Sequence, residues 1–89
     1  MVSGKERYQT LNLKNFVNSG DKEYCISTVQ LPFAHIGGLY ETMIFPATGG
    51  EISDWGELFM ERYETQGEAE RGHDVVVAQL QAGELELYK

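Results

Sequence analysis

The run from Tyr24 to Tyr40 contains no Asp, Glu, Lys or Arg, and it constrains the fold more than any other feature of the chain. Its first part, YCISTVQL at 24–31, is rich in β-branched and aromatic residues and free of Gly and Pro. That composition suits a core strand. Pro32 removes a ladder donor and Gly37 and Gly38 permit a change of direction, so PFAHIGG at 32–38 reads as a loop. LYETMIF at 39–45 is a second strand pattern, ended by Pro46 and the turn-like ATGG at 47–50, and ELFMERY at 57–63 is a third. The connection from 46 to 56 carries Ile52 and Trp55, which should pack onto the domain. Upstream, Tyr8, Leu11, Leu13, Phe16 and Val17 could supply a fourth strand near 7–13.

A helix is expected over roughly 66–82. Thr65 followed by Glu68 matches a capping box, in which the Thr side chain accepts from the N3 amide while the Glu reaches back to the N-cap amide. Glu68 and Glu70 lie where the helix dipole favours negative charge, and Gly83 supplies a stop. Ala69, His73, Val76 and Leu80 are spaced by four, three and four, which puts them on one stripe. Gly72 costs about 0.5 to 1 kcal/mol relative to Ala inside a helix, and close approach of the helix to a strand is the simplest compensation.

These elements predict an α+β fold: a three- to four-stranded antiparallel sheet with one C-terminal helix packed on one face. At 89 residues the chain reads as a single domain over 1–89, with an N-terminal segment at 1–23, the sheet at 24–63, the helix at 65–82 and a tail at 84–89. One helix covers one sheet face. On the second strand Glu41, Met43 and Phe45 oppose Tyr40, Thr42 and Ile44, so both faces are substantially apolar. The other face must be covered by the N-terminal segment, the Trp55 loop, the LELY tail at 85–88 or a second subunit, and a homodimer is expected.

Charge excludes several function classes. The formal net charge is -7, and from Glu41 onward there are eleven acids against three bases. An acidic chain is repelled by nucleic acid and by anionic membranes, so neither is expected as a direct partner. One cysteine, Cys25, excludes an internal disulfide and a multi-cysteine zinc site, and within a strand pattern it reads as a small buried hydrophobe. No run approaches a membrane span, and MVSGKERYQT carries charges where a signal peptide needs apolar residues, so a cytoplasmic location is expected.

Four blocks carry a resemblance: ISTVQLPFAH at 26–35, ETMIF at 41–45, ERYET at 61–65 and EAERGH at 68–73, the last followed by a Val pair. With the shared pattern STVxLxxxH, ETMxF, ERYxT and EAxxGH, the chain resembles a family of small uncharacterised proteins found in bacteriophages and prophages. The resemblance covers about residues 26–77, and Ala34 stands where family members often carry Asp. It implies phage origin, hence a host cytoplasm, and no established biochemical activity.

The polar residues of these blocks are the candidates for ligand or partner binding: His35, Glu41, Arg62, Tyr63 and His73, with Glu61 alternating with Arg62 across its strand. Two His and a Glu could bind a metal or do acid–base chemistry. Against this, His73 on an apolar stripe reads as a buried histidine satisfied by a backbone carbonyl or by a carboxylate such as Glu41. His35, in a Gly-flanked loop, is the better candidate for ligand contact. No Walker loop, dinucleotide fingerprint, nucleophile elbow or HExxH occurs in the sequence, so no enzymatic activity, metal or cofactor is expected.

Three functions follow from different classes. The first is a small non-enzymatic phage-type binding protein acting on a host or phage protein, including as an inhibitor of a host protein or defence system. One form of it is a nucleic-acid mimic presenting Glu51, Asp54, Glu57, Glu64, Glu68, Glu70 and Asp74 to a basic groove. The alternatives are a sequestering protein for a small nucleotide-like ligand held by the 32–38 loop, and an accessory phage structural or assembly protein.

Overall fold

The computed structural model describes residues 11–35 and 38–88, with backbone only at 33–35. The order is β1 (Asn12–Ser19), β2 (Lys22–His35), β3 (Gly38–Thr48), β4 (Glu51–Ile52), β5 (Phe59–Tyr63) and α1 (Gln66–Gln81). All pairings are antiparallel. β1, β2 and β3 lie side by side, and β4 and β5 share the far edge of β3. The α+β architecture, an antiparallel sheet with one C-terminal helix on one face, is the one the sequence implies.

Three boundaries differ from expectation. Strands run through both prolines: β2 continues to His35 and β3 to Thr48. Pro46 is tolerated because the bond it cannot donate faces the short-strand edge, where its carbonyl accepts from Ser53 N at 2.9 Å, while β3 meets β2 through its odd-numbered residues. Pro32 falls where the β2–β3 register shifts, between Gln30 and His35, an irregularity that spares a ladder donor. The N-terminal strand lies at 12–19, downstream of the 7–13 expectation; residues 7–10 are outside the described residues.

Alternation sorts the side chains. Leu13, Asn15 and Val17 of β1 align with Thr28, Ile26 and Tyr24 of β2, and Ile26 and Thr28 align with Ile44 and Thr42 of β3. This face meets α1. Val17, Ile26, Ile44, Val76 and Leu80 form its core, and the helix stripe reads Ala69, His73, Val76, Leu80 as its spacing requires. Thr65 and Glu68 make the capping box, and Gly83 at φ 73 ends the helix with Gly83 N bonded to Leu80 O and Glu84 N to Gln79 O, a Schellman closure.

The tail joins the helix side: Leu85 and Leu87 pack against the same core, and Tyr88 N donates to Leu58 O at 2.8 Å. It therefore does not cover the opposite face. On that face Trp55 sets its ring edge against Phe45 at 5.2 Å, and Cys25, Glu41, Phe45 and Ala47 are buried within a single chain. Trp55 itself is 70% exposed and Phe16, on the same face, 39%. Among the described residues no helix is long and apolar enough to cross a membrane.

Gly72 explains the seating of the helix. A Cβ at this position would lie 2.5 Å from the Tyr63 ring, so the helix backbone rides directly on an aromatic side chain of β5. Gly38, at φ 133, is likewise pressed against the Tyr63–Glu64 backbone. Gly72→Ala should therefore destabilise by about 1–3 kcal/mol through overpacking, although Gly→Ala in a helix ordinarily stabilises by about 0.5–1 kcal/mol. In a Tyr63→Ala background the sign should reverse, as chemical denaturation of the four chains would show.

Candidate functional site

The polar residues of the four sequence blocks form two separate assemblies, one on each side of the sheet. On the helix side His73, 2% exposed, places Nδ1 2.7 Å from Thr28 Oγ1 and Nε2 2.7 Å from Asn15 Oδ1. Thr28 Oγ1 lies 2.5 Å from Thr42 Oγ1. The proton positions follow by elimination. Asn15 Oδ1 can only accept, so Nε2–H donates to it, and in the neutral ring Nδ1 accepts from Thr28. Thr28 therefore accepts from Thr42. The result is a directed chain from the centre of the sheet, through the helix, to β1.

Burial holds His73 below its ordinary value of 6.5, with the charge of Asp74 opposing. The ring is thus neutral, as the directed chain requires. Beyond Thr42, the Tyr63 hydroxyl is buried without a hydrogen-bond partner among the described residues. Burial raises its pKa, the neighbouring Thr42 hydroxyl opposes, and Glu61 adds to the rise.

On the other side Glu41 and Arg62 stand directly opposite each other on β3 and β5, and Arg62 Nε donates to Glu41 Oε2 at 2.9 Å. Glu41 is buried, so its charge is held where solvent cannot screen it. Glu41 is therefore the partner of Arg62 and not of His73, because residues 41 and 42 point to opposite faces. Asn15 and Thr28 take the role that a carbonyl or Glu41 was expected to fill. Both are neutral residues in strands, with no sequence signal separating them from other strand polar residues.

His35 closes β2 opposite Gly38. Thus Tyr63 and His73 share one side of the sheet and Glu41 and Arg62 share the other, so these four candidates do not converge on one pocket. Burial raises the Cys25 thiol, with Lys14 opposing, which suppresses the reactive thiolate. Among the described residues no group of three His, Cys, Asp or Glu is arranged to hold a metal.

The acidic residues Glu57, Glu64, Glu68, Glu70 and Asp74 are all exposed. Glu68 is engaged in the cap through the amides of Glu64 and Thr65, and Glu70 accepts from Gln66 at 3.1 Å. A cleft of about 470 Å³ opens at the hairpin end, between Lys22, Tyr24, Pro46, Leu58 and Leu87. Its neighbour Glu23 is occupied by the amides of Gly49 and Gly50, both at 2.9 Å. Comparison with protein-family models, curated proteins and solved structures gives no match.

Two outcomes test these assignments. Because the folded-state pKa of His73 lies below its unfolded value, the unfolded chain binds the extra proton, so His73 contributes full stability above about pH 6.5 and loses it as pH falls below that value. Thermal melts from about pH 7.5 to 5.5 should show a steeper decline for the wild type than for His73→Gln. Arg62→Met should cost roughly 3–5 kcal/mol by stranding the Glu41 carboxylate, and adding Glu41→Gln should recover part of that loss in urea titrations.

Proposed function

We propose that this chain is a non-enzymatic, phage-type binding protein that offers its carboxylate-rich surface to a basic face of a protein partner in the host. The observation that carries this reading is the division of the charged residues. From residue 41 to 88 the acids Glu51, Asp54, Glu57, Glu61, Glu64, Glu68, Glu70, Asp74, Glu84 and Glu86 are exposed. Over the same span Arg71 is the one exposed base, since Arg62 is half-buried against Glu41. Such a surface attracts a basic partner over long range and accelerates encounter.

The inward-facing polar residues support the same reading from the other direction. Thr28, Thr42 and His73 bond to one another, Glu41 bonds to Arg62, and Tyr63 is packed under Gly72. The hydrogen bonds among these residues, and the packing of Tyr63, hold the helix and strands together. The resemblance of their sequence blocks to phage and prophage proteins favours a bacterial host protein as the target.

The test is affinity capture of a host protein from bacterial lysate, compared with a chain carrying Glu57→Gln, Glu64→Gln, Glu70→Gln and Asp74→Asn. Glu68 is left intact because it caps the helix. The expected result is a captured protein whose retention falls at least tenfold in the variant and is lost on raising salt from about 0.1 M to 1 M, where the Debye length shrinks from about 10 Å to 3 Å. Retention indifferent to both changes would refute the electrostatic reading.

A further inference from the structure

We propose that the outer edge of β1 pairs antiparallel with β1 of a second copy, joining two sheets across a two-fold axis at Asn15. The proposal is independent of the acidic surface and rests on the hydrogen-bond parity of the edge. Gln30 N donates to Leu11 O at 3.1 Å, and with the β1–β2 register this makes 13, 15, 17 and 19 the residues bonded to β2. The N–H and C=O groups of Asn12, Lys14, Phe16 and Asn18 then point away from the sheet. β1 is the end strand of the sheet, and those groups have no partner among the described residues. The opposite edge is partly closed, because Tyr88 N bonds to Leu58 O and its hydroxyl accepts from Met60 N at 3.1 Å.

An unpaired strand edge is a template for a further strand, and the residues of β1 select a copy of itself. β1 is the only described element without an Asp or Glu. A chain of net charge -7 self-associates with least repulsion there. In a two-fold pairing only outward-pointing residues can exchange hydrogen bonds, so the paired numbers must both be even. Centring on Asn15 sets Lys14 opposite the partner's Phe16, and Asn12 opposite the partner's Asn18. Shifting the axis by one residue towards the N-terminus would oppose Lys14 to its own copy.

The Asn15-centred register therefore replaces like-charge repulsion with a cation over an aromatic ring, twice by symmetry. It gives a use to Phe16, which is 39% exposed on the strand. On the helix side it sets Leu13 against the partner's Val17, apolar against apolar. It also brings the two Asn15 amides together on the axis. Each Asn15 Oδ1 already accepts from His73, which leaves its NH2 group to donate across the dyad.

Hydrogen exchange and sedimentation on the full wild-type chain test this directly. In a monomer the Lys14 and Phe16 amides face solvent, while those of Leu13, Asn15 and Val17 are bonded to β2. At about 500 μM, near the weak end of specific association, the expected result is a dimer mass with the Lys14 and Phe16 amides protected in a concentration-dependent way. Lys14→Glu, at an exposed position, should keep the wild-type circular dichroism while weakening dimerisation at least tenfold. A monomer mass at that concentration, a dimer in which the Lys14 and Phe16 amides exchange freely, or a folded Lys14→Glu chain that dimerises as well as wild type would each overturn the proposal.

Discussion

The chain of hydrogen bonds Thr42–Thr28–His73–Asn15 ties the C-terminal helix to the centre of the sheet and to its edge strand. An apolar core alone would let the helix slide along its stripe, because hydrophobic contact is non-directional. Two threonine hydroxyls side by side on β2 and β3 are a different matter. Buried at 0% exposure, each must find a partner, and the ring nitrogen of His73 is the acceptor that lets both be satisfied in one direction. Helix rotation or a one-residue slip of β2 against β3 would orphan these groups in the interior. The network therefore sets registry as well as contributing stability.

The second constraint is steric and lies one residue earlier on the helix. Gly72 rests on Tyr63, and Gly38 rests on the backbone at Tyr63 and Glu64, so β5 is clamped between the start of β3 and the helix that follows it. The same strand sends Arg62 to the other side of the sheet to pair with Glu41. Three neighbouring residues of β5 thus serve three neighbours: Tyr63 the helix, Arg62 the buried carboxylate of β3, and Glu61 the solvent.

The helix was the most legible element in the sequence. The Thr65–Glu68 box, the Ala69–His73–Val76–Leu80 stripe and the Gly83 stop are local signals, set by residues within one or two turns of each other, and the structure reproduces each of them. The strands were legible in kind but not in extent. Pro32 and Pro46 read as strand breakers because their cost depends on whether a neighbour needs the missing N–H, and the sequence does not display which neighbour that is. The LELY tail read as a candidate cover for the face away from the helix; the turn at Gly83 sends it back to the helix side, where Leu85 and Leu87 complete the core.

The candidate residues follow the same division. By itself the sequence determined which helix stripe would be buried and would carry His73, because period and capping depend on near neighbours along the chain. Only the tertiary structure decided the partners. Thr28 and His73 are 45 residues apart and Asn15 and His73 are 58 apart, and Glu41 is separated from its neighbour Thr42 by the thickness of the sheet. Strand alternation converts a difference of one residue into opposite faces, so the pairing of Glu41 with Arg62 and of His73 with Thr28 required the register of the whole sheet.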